Sequence, residues 1–112
     1  MSLGPAIIKQ YGVHLGIRSH AATLTGDLTL TIEYPNILKL DPGGASRNVT
    51  LPAESYVDGF FWILNVADAA ENLVIKNAAG STLATANQNE SVLVGNIAGT
   101  WTLLALPAIA IS

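Results

Sequence analysis

The sequence predicts an all-β protein, a small antiparallel β-sandwich or barrel of about eight short strands behind an extended N-terminal arm. Short runs of alternating or β-branched residues recur from Leu24 onward, each closed by Pro, Gly, Asn or Asp. Half of the 112 residues are hydrophobic, enough for a core in a chain of this length without disulfides or a structural metal. Charge divides the chain near Asp27: Lys9 and Arg18 are the only charged residues before it, and all eight acids lie at or after it. The expected organisation is therefore an arm over residues 1–22 and a body over residues 23–112.

In the arm, Tyr11, Val13, Leu15 and Ile17 alternate with Gly12, His14 and Gly16, a period of two that suits extended chain rather than helix. The glycines weaken independent structure there, and such a segment can add to the sheet edge of a neighbouring subunit. In the body, Leu28 to Ile32 alternates with threonines outward, and Ile37 to Leu40 ends at Asp41-Pro42-Gly43-Gly44, a strong turn because Pro fixes one φ and Gly permits a positive one. Asn48 to Leu51 stops at Pro52. Phe60 to Val66 is apolar on both faces and needs cover on both. Adjacent strand residues point to opposite faces, so Phe60 and Phe61 cannot both be core.

Between Val66 and Gly80 two patterns compete. Asp68 and Glu71 have capping-box spacing, whereas Leu73 to Lys76 and Thr82 to Thr85 flank a turn with a glycine suited to positive φ. The hairpin is favoured, with one helical turn at Asp68 to Glu71. Ser91 to Val94 and Thr100 to Leu104 form the last hairpin, turning through Gly95 to Gly99. This placement also answers the membrane question. Ser91 to Ser112 carries no charge and is long enough to span a bilayer, but Gly95, Asn96, Gly99 and Pro107 interrupt it and no basic cluster flanks it. Met1 to Pro5 lacks the basic start of a secretory signal.

Composition narrows the chemistry. With no cysteine and two histidines, thiolate metal sites and cysteine nucleophiles are excluded, and no cofactor is expected. His14 and His20 are the only neutral-pH bases, and both sit in the glycine-bearing segment, a poor support for catalysis. The turn acids Asp41, Glu54, Asp58, Asp68 and Glu71 read as solvated carboxylates, and a calcium loop at Asp68 to Asn72 has too few ligands. No phosphate loop is present. A net charge of −3 and no basic patch argue against nucleic acid. Catalytic, metal and cofactor residues are accordingly expected to be none, and the chain is not expected to be an enzyme. With only 12% of the whole chain charged, where the surface of a small domain is usually roughly a quarter or more charged, the surface is instead expected to be covered by other subunits.

The run Asn36 to Pro52 with its Asp-Pro-Gly-Gly turn, then Gly59-Phe-Phe-Trp-Ile-Leu-Asn65, Leu73 to Ser81 and Gly99-Thr-Trp101 resembles small β-structured virion proteins of tailed bacteriophages, namely capsid decoration (cement) proteins and related head- or tail-fibre modules. The resemblance spans about residues 24–104. It implies a homotrimer on the outer surface of the capsid that bridges capsomers, with a terminal arm on the major capsid protein and no nucleic-acid or membrane partner. The residues expected to carry these contacts are Ile7, Ile8, Tyr11, Val13, Leu15 and Ile17 in the capsid-contact arm, and Phe60, Phe61, Trp62 and Trp101 at the subunit interface. The alternative is a receptor- or carbohydrate-binding module using exposed aromatics with Asn87, Gln88 and Asn89.

Overall fold

The computed structural model describes residues 18–54 and 59–109. Among these residues there is no helix, and nine strands form two sheets. They are β1 (Ser19–Thr23), β2 (Leu28–Thr29), β3 (Ile37–Asp41), β4 (Arg47–Thr50), β5 (Gly59–Asn65), β6 (Leu73–Lys76), β7 (Thr82–Ala86), β8 (Ser91–Ile97) and β9 (Thr100–Ala105). One sheet has the order β1-β3-β5-β8-β9 and the other β2-β4-β6-β7. The all-β, two-sheet class expected from the sequence is the observed one.

The pairing is mixed, which corrects the expected antiparallel arrangement. From β1 to β6 successive strands alternate between the sheets, so each strand lies parallel to the one two before it: Ser19 abreast of Ile37, Ile37 abreast of Trp62, Arg47 abreast of Leu73. Parallel neighbours need a crossover, and here the strand in the opposite sheet provides it. Consecutive strands usually pair, which favours a hairpin reading of such a sequence. The links at 24–27, 42–46 and 66–72 instead carry the chain across the sandwich. After β6 the chain reverses, and β6–β7, β5–β8 and β8–β9 are antiparallel.

This winding stacks like side chains in inward ladders. Leu38, Ile63 and Val92 stand abreast across β3, β5 and β8, and Val49 and Ile75 across β4 and β6, all of them fully buried. Each such side chain contributes roughly 1.5–3 kcal/mol relative to exposure. Polar side chains also enter these inward rows, Asn65 and Asn96 among them. Asn65, abreast of Leu40 and fully buried, donates from Nδ2 to the carbonyls of Glu71 (2.8 Å) and Ala86 (2.9 Å) and accepts from the Ala67 N–H at Oδ1 (2.9 Å). Its amide thus ties the end of β5 to the following loop and to β7.

That loop corrects a second expectation. Residues 68–70 are bends, not a helical turn, because Asn65 already claims the backbone of Ala67 and Glu71 and the Glu71 N–H donates to the Ala69 carbonyl. The favoured hairpin is present, with Gly80 at φ 92° in its turn. The last hairpin turns tighter than expected: Gly95 to Ile97 stay in β8, and Ala98 (φ 53°) and Gly99 (φ 80°) make the turn alone, the left-handed pair that two-residue hairpins require. Of the strand expected at Leu28 to Ile32, β2 keeps two residues. The Leu30 N–H still donates to the Thr50 carbonyl at 2.8 Å, after which the chain turns at Thr31 to Tyr34. Residues 19–22 of the expected arm lie in β1, on the edge of the five-stranded sheet.

Candidate functional site

On the outer face of the five-stranded sheet, the part built from β5, β8 and β9 contains no charged residue, whereas the neighbouring β3 places Lys39 abreast of Leu64. Alternation sends Phe61, Ile63 and Asn65 inward, leaving Phe60, Trp62 and Leu64 on the outside. On β8 their partners are Gly95, Leu93 and Ser91. On β9 Trp101 points inward, so alternation puts Thr102 and Leu104 on the outer side, where a Cβ placed on Gly95 would lie 3.0 Å from Leu104 Cδ1 and 3.6 Å from Ile97 Cδ1. Gly95 therefore lets Leu104 and Ile97 close over the strand. Trp62, Ile97, Leu104 and Leu106 remain 37, 53, 48 and 46% exposed.

Trp62 is held in place. Its indole N–H donates to Ser91 Oγ at 2.9 Å, and Ser91 Oγ in turn donates to the Pro107 carbonyl at 3.1 Å. The Ser91 N–H donates to the same carbonyl at 2.8 Å, and Glu90 bridges to Ala108. The residues after β9 thus pack back over the start of β8 and fix the indole's polar atom, leaving its ring as apolar surface. A rigid aromatic whose one polar group is already satisfied is the kind of side chain that anchors interfaces.

Two of the four interface candidates lie elsewhere. Phe61 and Trp101 are 5 and 3% exposed, and their ring centroids are 5.8 Å apart at 36°. The Trp101 indole donates to the Pro52 carbonyl at 2.8 Å, and its backbone N–H donates to Glu54 Oε2 at 2.8 Å. Both are core residues, a correction that follows from inward alternation in β5 and from the opposing Pro52 loop. Trp62 and the half-buried Phe60 are on the outer face. Ile97, Leu104 and Leu106 were missed as surface residues. The period of two that turns Leu104 outward is readable from sequence, but which face of β9 carries the buried Trp101 is not. The arm residues Ile7, Ile8, Tyr11, Val13, Leu15 and Ile17 lie outside the described residues, as does His14.

Other candidates are placed as follows. His20 lines an open cleft with Thr31, Glu33, Tyr34 and Pro35. The carboxylates of Asp41, Asp68 and Glu71 come within 4.8 Å of one another. Asp41 Oδ1 and Glu71 Oε1 accept the backbone N–H groups of Gly43 and Gly44. In the 87–89 turn, Gln88 Nε2 donates to the Ala67 carbonyl at 3.1 Å and the Asn87 N–H to Glu90 Oε1 at 3.0 Å. No helix among the described residues is long and apolar enough to cross a membrane. A scan against protein-family models, a search of curated proteins and a search of solved structures each find no match.

Proposed function

We propose that the chain is a virion structural protein, a decoration (cement) protein that sits on the outside of a phage capsid as a trimer and stabilises contacts between capsomers. The observation that carries this is the uncharged part of the outer face around Trp62, Ile97 and Leu104, which spans β5, β8 and β9 and stays open to water in the single chain. An apolar face of this kind belongs against another protein surface. In a trimer it is buried between copies, and the N-terminal residues are left to reach the major capsid protein.

The mechanism is multivalent clamping. Three weak contacts on one particle raise apparent affinity by about two to four orders of magnitude without any new chemistry, and bridged capsomers resist outward pressure from packaged DNA. The turn at 87–89 commits its Gln88 amide to Ala67, so it offers less to a glycan than its sequence suggests. The test is co-sedimentation with purified heads that lack decoration. The proposal expects saturable binding at fixed stoichiometry over the head surface, together with increased resistance of the heads to heat. No binding to heads, with binding on a glycan array, would replace it with the carbohydrate-binding reading.

A further inference from the structure

Each sheet of the sandwich ends in two edge strands, and an edge takes up a further strand unless something blunts it. Three of the four edges are blunted. β2 is only two residues long. The ladder to β7 is broken by a register shift between Ile75 and Lys76. At β9 the ladder shifts between Leu93 and Val94, and the Glu54 carboxylate takes the Trp101 N–H at 2.8 Å. β1 has none of these devices: its residues include no Asp, Glu, Lys, Arg or Pro, and they run beside β3 in unbroken register. Among the described residues no strand lies on its other side. We propose that β1 pairs with β1 of a second copy of the chain, antiparallel about a twofold axis through Ala21.

The backbone sets the register. The Ile37 N–H donates to the Arg18 carbonyl at 3.0 Å, and the Leu24 N–H to the Asp41 carbonyl at 2.8 Å. Backbone polar groups of successive strand residues point to alternate sides within a sheet, so those of His20 and Ala22 also face β3, and those of Ser19, Ala21 and Thr23 face the open side. That set is symmetric about Ala21. Under the twofold axis Ala21 meets Ala21 of the second copy and Ser19 meets its Thr23, and each such pair exchanges two backbone hydrogen bonds. The side chains agree with this register. Ala22 and Leu24 pack towards the core, which leaves Ser19, Ala21 and Thr23 on the outer face; they are small enough to keep the edge open, and a Ser–Thr pair adds a cross-strand contact.

Charge selects the second copy and the antiparallel direction. Arg18 stands at the start of β1, and at its end Thr23 lies abreast of Asp41, whose carboxylate is grouped with those of Asp68 and Glu71 within 4.8 Å. The twofold arrangement brings the basic start of each strand to the acidic end of the other, whereas a parallel one would set Arg18 beside Arg18. Lys39, abreast of Ala21, stays three strand spacings, about 14 Å, from its mate, beyond the screening length of about 8 Å at physiological salt. Strands this short bury far less than the roughly 1,200 Å² of a stable interface, so the contact forms between copies crowded on a common surface and not in dilute solution. It leaves the face around Trp62 untouched and stands independently of the trimer.

The absence of native cysteines lets disulfide formation read the register. Ala21→Cys places two thiols on Cα atoms about 5.5 Å apart, inside the span of about 4.4–6.8 Å that a disulfide bridges. Ser19→Cys or Thr23→Cys alone places them about 13 Å apart along the strands. All three positions are exposed, so the substitutions leave the core intact. Under mild oxidation at millimolar concentration, Ala21→Cys is expected to form linked dimers many times faster than either of the others alone. A mixture of Ser19→Cys and Thr23→Cys chains is expected to form the mixed dimer. Self-linking of Ser19→Cys or Thr23→Cys as fast as that of Ala21→Cys, or no dimer from Ala21→Cys, overturns the proposal. The same ranking is expected when Trp62→Glu and Leu104→Glu are also present, so failure of the trimer and failure of this pairing are read separately.

Discussion

Replacing Asn65 by Ala removes three hydrogen bonds from one buried side chain, and the structure sets the size of the effect. The Ala67 N–H and the Ala86 carbonyl are left in the interior without their partners, while the Glu71 carbonyl is partly exposed and regains water. At about 1–3 kcal/mol for each buried orphan and about 1 kcal/mol for the third bond, the expected loss is about 3–7 kcal/mol. That is a large part of the roughly 5–15 kcal/mol that holds a domain of this kind folded. The assay is equilibrium urea unfolding followed by tryptophan fluorescence. With m of about 1–3 kcal/mol/M, the midpoint should fall by roughly 2 M at an unchanged m. Asn65→Asp keeps the acceptor for Ala67 but turns an oxygen towards two carbonyls, so it should not rescue. A loss below about 1 kcal/mol for Asn65→Ala would refute the role given to this amide in tying β5, the 66–72 loop and β7 together.

Gly43→Ala should destabilise by more than about 1 kcal/mol in the same assay, since Gly43 has φ 77° and an added Cβ would run into the Leu24 carbonyl oxygen. Ala98→Gly should stabilise by up to about 1 kcal/mol, because Ala98 occupies φ 53° in a two-residue hairpin turn; a thermal melt checks the sign. Trp62→Glu with Leu104→Glu should convert the assembled protein to single chains while leaving the far-UV circular dichroism of the body unchanged, because both side chains lie on the outer face and neither fills the core.

The parts of the fold that depend on local sequence were legible. The turn at Asp41 to Gly44, the Leu73 to Ala86 hairpin and the placing of Phe60 and Phe61 on opposite faces follow from turn chemistry and a period of two, though not which of the two is buried. The winding was not legible, because whether a seven-residue link returns beside its own strand or crosses to the other sheet depends on packing between distant strands. Local pattern is the same in either case, so Ile37 to Leu40 and Phe60 to Val66 were placed as strands but not as parallel neighbours. The site was half legible for a related reason. An apolar outer face could be inferred from Trp62 and its flanking residues, but Trp101 looked equally suitable until Pro52 and Glu54 were found against it. Leu104 faces outward because Trp101, three residues before it, faces inward.

The proposed trimer turns on whether the face around Trp62, Ile97 and Leu104 is covered by other copies. Light scattering of the purified protein at micromolar concentration measures this most directly. The account predicts a single species of three times the 11.7 kDa chain mass, reduced to one chain mass by the Trp62→Glu and Leu104→Glu pair. A clean single-chain mass for the unsubstituted protein would contradict it.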